Sequence, residues 1–154
     1  MMKCTLDPGL MGTGYAIWDC QWRFQKAGII KCSHEHKDED WVERAEDIRF
    51  QLRRVVLQNN VNSGWLEYPA YFASAGGQMV AGRGDLLKLT FLTGILYTTF
   101  EDAYLVPVNQ WKGQLPKDVV EKRVRKILGK KIADYSSHAI DAIGIGLAVS
   151  GRMK

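Results

Sequence analysis

The sequence predicts an α/β domain built on a mixed five-stranded sheet with helices on both faces. Two observations predict it. Three short strand-like segments open the chain as an antiparallel meander, and from there on helices of apolar periodicity alternate with strands. With 154 residues, 46% of them hydrophobic, the chain is expected to fill one core but hardly two. Residues 1–154 are therefore expected to form a single domain, and any large cleft to be shared with a second copy.

The first strand is expected from Met2 to Leu6, ending at the turn Asp7-Pro8-Gly9. A second follows a Gly-rich turn from Gly14 to Asp19, and Trp22 to Ile30 completes the meander. The segment Lys31 to Asp40 is polar and charged, as a loop should be. From Trp41 the apolar residues Trp41, Ala45, Ile48, Leu52 and Val55 recur at helical spacing, with Arg44, Arg49, Arg53 and Arg54 mostly facing elsewhere. This amphipathic helix ends near Asn59-Asn60. Ser63 to Tyr68 reads as a strand stopped by Pro69, because proline cannot donate to a sheet ladder. A glycine-rich stretch, Gly76 to Gly84, leads into an apolar helix from Asp85 to Phe100, and Ala103 to Val108 is the fifth strand. Pro116 fits the first turn of a helix through Leu128, where Gly129 suits a left-handed stop. Ser136 or Ser137 can cap a last helix running to Ser150. No internal repeat, linker or low-complexity segment interrupts this order.

Composition narrows the function classes. There are 21 Lys and Arg against 17 Asp and Glu, a formal charge of +4, with a pI near 9.0. That balance suits an anionic partner. Met1 to Pro8 has one lysine and no long apolar region, so no secretion signal is expected. No run approaches the roughly 18 apolar residues of a membrane span. Cys4, Cys20 and Cys32 are odd in number and lack CxxC spacing, which argues against a disulfide framework or a zinc site and suits reduced thiols.

Acidic residues in apolar settings carry the chemistry, since a carboxylate that loses hydration must find compensation. Asp7 ends the first strand, Glu67 lies between Leu66 and Tyr68, and Asp141 lies within the apolar HAIDAIGIGLAV. His138, three residues before Asp141, shares its face of the helix. If the sheet brings Asp7 beside Glu67 and the last helix packs across them, four ligands converge. Such an oxygen-rich set with one imidazole suits Mg²⁺ or Mn²⁺ better than zinc. Taken singly, each residue also has a plainer reading: Asp7 as a turn cap, Glu67 as a strand end facing water, His138 and Asp141 as a helix-surface pair.

At these residues the sequence resembles the RuvC-like Holliday junction resolvases, which have a ribonuclease H-like fold. LDPGLMGTGYAIWD is similar to the family's opening strand, acidic turn and second strand. WLEYPAYF is similar to its second acidic strand, VNQWKGQLPKDVVEKRV to its basic loop and following helix, and SSHAIDAIGIGLAV to its closing acidic helix. The resemblance spans Lys3 to Ser150 with the order of elements preserved.

The resemblance implies a crossover junction endodeoxyribonuclease that nicks four-way DNA junctions in pairs as a homodimer, leaving 5′-phosphate and 3′-hydroxyl ends. It implies that Asp7, Glu67, His138 and Asp141 bind two Mg²⁺ ions, replaceable by Mn²⁺, with Asp7 bridging them; some family members have aspartate at the position of His138. Lys112 and Lys117 match family lysines that steady the scissile phosphate. An aromatic wedge is expected where Ala70 stands, so Tyr71 or Phe72, which follow, would take its place. Arg83, Lys88, Lys122, Arg123, Arg125 and Lys126, with Lys130 and Lys131, are expected to contact DNA phosphates. Dimerisation through a long helix is implied, with Asp85 to Phe100 and Trp41 to Asn59 as the two candidates. A junction-processing helicase is a further expected partner, and the cytoplasm of a bacterial or phage-infected cell the expected location.

Three alternatives differ in class. A broader branched-DNA, flap or RNA–DNA hybrid nuclease would keep the metal site and change the substrate. An actin-like phosphotransferase shares the opening strand and Thr-containing hairpin but needs a second such hairpin, which the chain lacks. A non-catalytic DNA-binding module would have no use for the acidic positions.

Overall fold

The computed structural model describes residues 1–32, 40–68, 85–113, 115–132 and 134–153. Five strands, β1 (Met2–Asp7), β2 (Thr13–Trp18), β3 (Phe24–Ile30), β4 (Val61–Tyr68) and β5 (Asp102–Pro107), form one sheet in the order β3-β2-β1-β4-β5. The meander β1-β2-β3 is antiparallel, while β4 pairs parallel with both β1 and β5. The mixed five-stranded sheet expected from the sequence is borne out. Because β1 and β4 run parallel with Leu6 opposite Leu66, Asp7 and Glu67 follow at the same, carboxyl end of neighbouring strands.

Side-chain alternation along the strands splits the interior in two. Cys4, Leu6, Ile17 and Leu66 point to one face, where they pack with Ile48 and Leu52 of α1 (Trp41–Gln58) and Leu92 and Leu96 of α2 (Asp85–Tyr97). Ala16, Trp18 and Val106 point to the other, against α4 (Lys117–Leu128) and α5 (Ser137–Val149). Asp7 and Glu67 sit in the alternation of this second face. There Thr5 Oγ1 donates 2.6 Å to the Ala142 carbonyl and accepts 2.9 Å from Trp18 Nε1, tying β1, β2 and α5 together. Gly14 lies directly beneath the His138 carbonyl, so any Cβ there would collide with the first turn of α5.

Several local expectations change. Trp22 does not begin a strand: it adopts φ +61 in a turn. Asp19 Oδ1 organises that turn by accepting from the Gln21 and Arg23 N–H groups at 2.9 and 2.8 Å, so β3 starts at Phe24. Val108 opens a short helix, α3 (Val108–Trp111), instead of ending β5. Gly129 has a positive φ of 65 but ψ of −147, and passes into a 3₁₀ turn, Gly129–Ile132, rather than a left-handed stop. Arg44 faces inward and is 8% exposed, its guanidinium donating 3.0 Å to Met11 Sδ. Other details hold: α1 ends at Gln58 and the chain turns away through Asn59 and Asn60, the latter with φ 51, and Ser136 Oγ caps α5 by accepting from the Ala139 N–H at 3.4 Å. Among the described residues no helix is long and apolar enough to cross a membrane.

Candidate active site

The site forms where the carboxyl ends of β1 and β4 meet the first turns of α5. β1 delivers Asp7 and β4 delivers Glu67, while the Ser136 cap sets α5 so that His138 and Asp141 reach the same place. His138 Nδ1 lies 2.9 Å from Asp7 Oδ2 and donates when that nitrogen carries the proton. Lys117, the first residue of α4, brings its Nζ to 3.4 Å from Asp141 Oδ2. The Trp111 indole N–H of α3 donates 2.8 Å to Glu67 Oε2. Each of the three carboxylates thus has its own donor, from a different element.

Electrostatics show how closely these groups face one another. Burial, then repulsion from Asp7, pushes Glu67 from 4.5 to about 7, while the Trp111 hydrogen bond and the Lys112 charge oppose the rise. Burial and Asp7 likewise raise Asp141 above the usual carboxylate range, against Lys112 and Lys117. His138 is raised by its hydrogen bond to Asp7, and burial opposes that shift. Three carboxylates therefore crowd a half-buried space with two lysines and one imidazole at its rim. As arranged, no group of three or more His, Cys, Asp or Glu among the described residues closes into a metal-binding cluster.

The fold brings Asp7, Glu67, His138, Asp141, Lys112 and Lys117 together, as the sequence suggested. Lys88 lines a cavity of 370 Å³ with Leu10, Met11, Trp41, Arg44, Asp85 and Leu89, none of them a residue of this group. Among the α4 cations, Lys122 pairs with Asp118 at 3.2 Å and Arg125 with Glu121 at 2.7 Å. Arg123 reaches the Met153 carbonyl at 3.4 Å, and Lys126 is exposed. Tyr71, Phe72 and Arg83 lie outside the described residues, as do the side chains of Lys130 and Lys131. Trp111 is the site residue that sequence reasoning passed over. Its signal was available: a tryptophan just past a strand end, beside Lys112, carries an N–H that needs an acceptor once buried.

No family model matches the chain. The crossover junction endodeoxyribonuclease RuvC of Prochlorococcus marinus (strain MIT 9211) is 26% identical over 151 residues, covering 96% of this chain and 94% of that protein. Among solved structures, T. thermophilus RuvC in complex with a Holliday junction substrate matches with a TM-score of 0.62 and 23% identity, over 96% of this chain and 91% of that one. The yeast mitochondrial Holliday junction resolvase Ydc2 matches with a TM-score of 0.52 and 13% identity, over 98% of this chain and 78% of that one. These likenesses bear out the ribonuclease H-like fold.

Proposed function

We propose that this chain is a RuvC-like crossover junction endodeoxyribonuclease, which resolves four-way DNA junctions by metal-dependent hydrolysis. The observation that carries the proposal is the meeting of Asp7, Glu67 and Asp141, drawn from distant parts of the sequence, at one sheet end beside two lysines. Likeness to RuvC across nearly the full length of both chains points the same way.

The donor set fits divalent cations. Glu67 and Asp141, whose charged forms are disfavoured by burial and by the Asp7 charge, make with Asp7 an oxygen-rich site short of positive charge. In this reading Asp7, Glu67, His138 and Asp141 hold two Mg²⁺ ions, Mn²⁺ substituting. Ions bound there would supply an activated water and neutralise charge at the phosphorus. The protein's own residues do the rest. Asp7, whose charge is felt by both Glu67 and Asp141, would be the ligand shared between the ions in this reading. His138 presently meets Asp7 through Nδ1, leaving Nε2 on the far side of the ring as the second nitrogen for coordination. Lys117, half exposed and already beside Asp141, fixes a positive charge where the scissile phosphate would lie, and Lys112 adds to it from the end of α3.

Phosphate contacts from Arg83, Lys88, Lys122, Arg123, Arg125 and Lys126 would give binding that weakens steeply with salt. Lys122 and Arg125 would have to release their helix partners first. Tyr71 or Phe72 stands as the junction wedge. Two-fold junctions call for a two-fold enzyme. α2 suits the dimer seam better than α1, because Leu87, Phe91, Gly94 and Tyr97 line its outer side at helical spacing. On α1 the exposed Val42, Phe50 and Leu57 are interleaved with Glu46, Arg49 and Arg53.

The test is cleavage of a labelled four-way junction beside linear duplex, a flap and an RNA–DNA hybrid, in Mg²⁺, Mn²⁺ or EDTA. Paired symmetric nicks confined to the junction and abolished by EDTA are expected. Asp7→Asn should keep junction affinity and lose cleavage by at least on the order of 100-fold; normal cleavage by that variant would overturn the metal site. Equal cutting of flaps or hybrids would move the substrate to branched nucleic acids at large.

A further inference from the structure

Trp111 makes the only side-chain hydrogen bond to Glu67 among the described residues. Trp111 is 5% exposed, so the indole N–H has little water to turn to, and an unmet donor there would be costly. The acceptor it finds is an acidic residue of the candidate site, at 2.8 Å. A donor bonded to a carboxylate is stronger and more directional than a neutral pair.

The indole is also held from behind. It belongs to the second-face core with Val106, Val120 and Ile143. At Gly144 of α5 a Cβ would stand 2.8 Å from Trp111 Cζ3, so the helix approaches the ring more closely than any side chain at that position allows. Lys112 Nζ lies 5.6 Å from the ring centroid. Through this one ring, α3 links Glu67 on β4 to the helix that carries His138 and Asp141.

We propose that Trp111 is a positioning residue of the nuclease site, whose rigidly packed indole N–H holds Glu67 by Oε2 and leaves Oε1 to bind the ion. The proposal rests on the ligand role of Glu67 given above. A carboxylate left to rotate would sample several orientations, and the packed ring removes that freedom before the ion arrives.

Trp111→Phe keeps the packed ring and deletes the donor. In the 154-residue chain, Mn²⁺ affinity measured by calorimetry should fall about 10- to 100-fold, the usual scale for losing an outer partner of a ligand. The kcat on a four-way junction should fall with it, while the KM for the junction stays within about twofold. Glu67→Gln, assayed in parallel, separates the two claims. If Glu67→Gln loses Mn²⁺ affinity and kcat while Trp111→Phe keeps both, Trp111 is packing alone and the proposal fails. If Glu67→Gln itself keeps both, the ligand role of Glu67 fails and the proposal falls with it. A readout on the unaltered protein covers a Trp111→Phe chain that does not fold. Of its five tryptophan indole N–H resonances, one should move on Mg²⁺ titration and be displaced in Glu67→Gln. No movement of any of the five with Mg²⁺ overturns the proposal.

Discussion

Glu67, Asp141 and His138 all bind protons more readily in the fold than in the open chain, and this gives the metal-free protein a pH signature. For Glu67 the contribution to stability is complete below its ordinary 4.5 and is lost as pH rises through about 7. Asp141 and His138 are shifted the same way, so their contributions also fade with rising pH. In EDTA the thermal midpoint should therefore decline between about pH 5 and about pH 8, and Glu67→Gln should flatten that decline. Added Mg²⁺ should raise the midpoint most at the alkaline end, where the carboxylates are ionised and repel one another. A midpoint that rises with pH in EDTA would contradict the crowded-carboxylate description. The acidic residues were legible in the sequence because each interrupts an apolar context. For Trp111 the sequence offered only an N–H in want of an acceptor; that the acceptor is Glu67 was hidden, because the two lie 44 residues apart.

At the level of elements, the docking of α5 on β1 and β2 decides whether the site exists. Thr5 anchors this junction with no solvent to replace its bonds: it is fully buried, donates to the Ala142 carbonyl and satisfies Trp18 Nε1. Thr5→Val keeps the shape but orphans the indole donor. It should cost about 1–3 kcal/mol in denaturant unfolding, and a smaller loss would mean the helix is held by packing alone. Strand and helix positions were readable here because apolar periodicity dominates them. What the sequence concealed were features decided by tertiary contact. Asp19 turns the chain so that Trp22 leaves the strand, Val108 is drawn into α3, and Arg44, polar by type, lies inside the molecule.

At the level of the whole molecule, the outward side of α2 is hard to account for in a lone copy. Leu87 is 75% exposed and Phe91 38%, and a Cβ on Gly94 would meet nothing within 4 Å, so that glycine answers no packing need within its own chain. With α2 as the proposed dimer seam, Phe91→Glu should give a monomer in light scattering where the unaltered chain gives a dimer, and single, uncoordinated nicks in place of the proposed paired cuts. A dimer that persists would relocate the seam. The hydrogen bond between Asp7 and His138 spans 131 positions of sequence, and that separation has a consequence for biosynthesis. A ribosome delivers Asp7 well before α5, so for the length of that interval the nascent chain holds its first strands without the residues that complete the site. On the proposed function, the ability to cut arrives only when α5 emerges and docks. Chains broken off before Ser136 are expected to be harmless to the DNA around them, so that synthesis itself would time the appearance of the proposed activity.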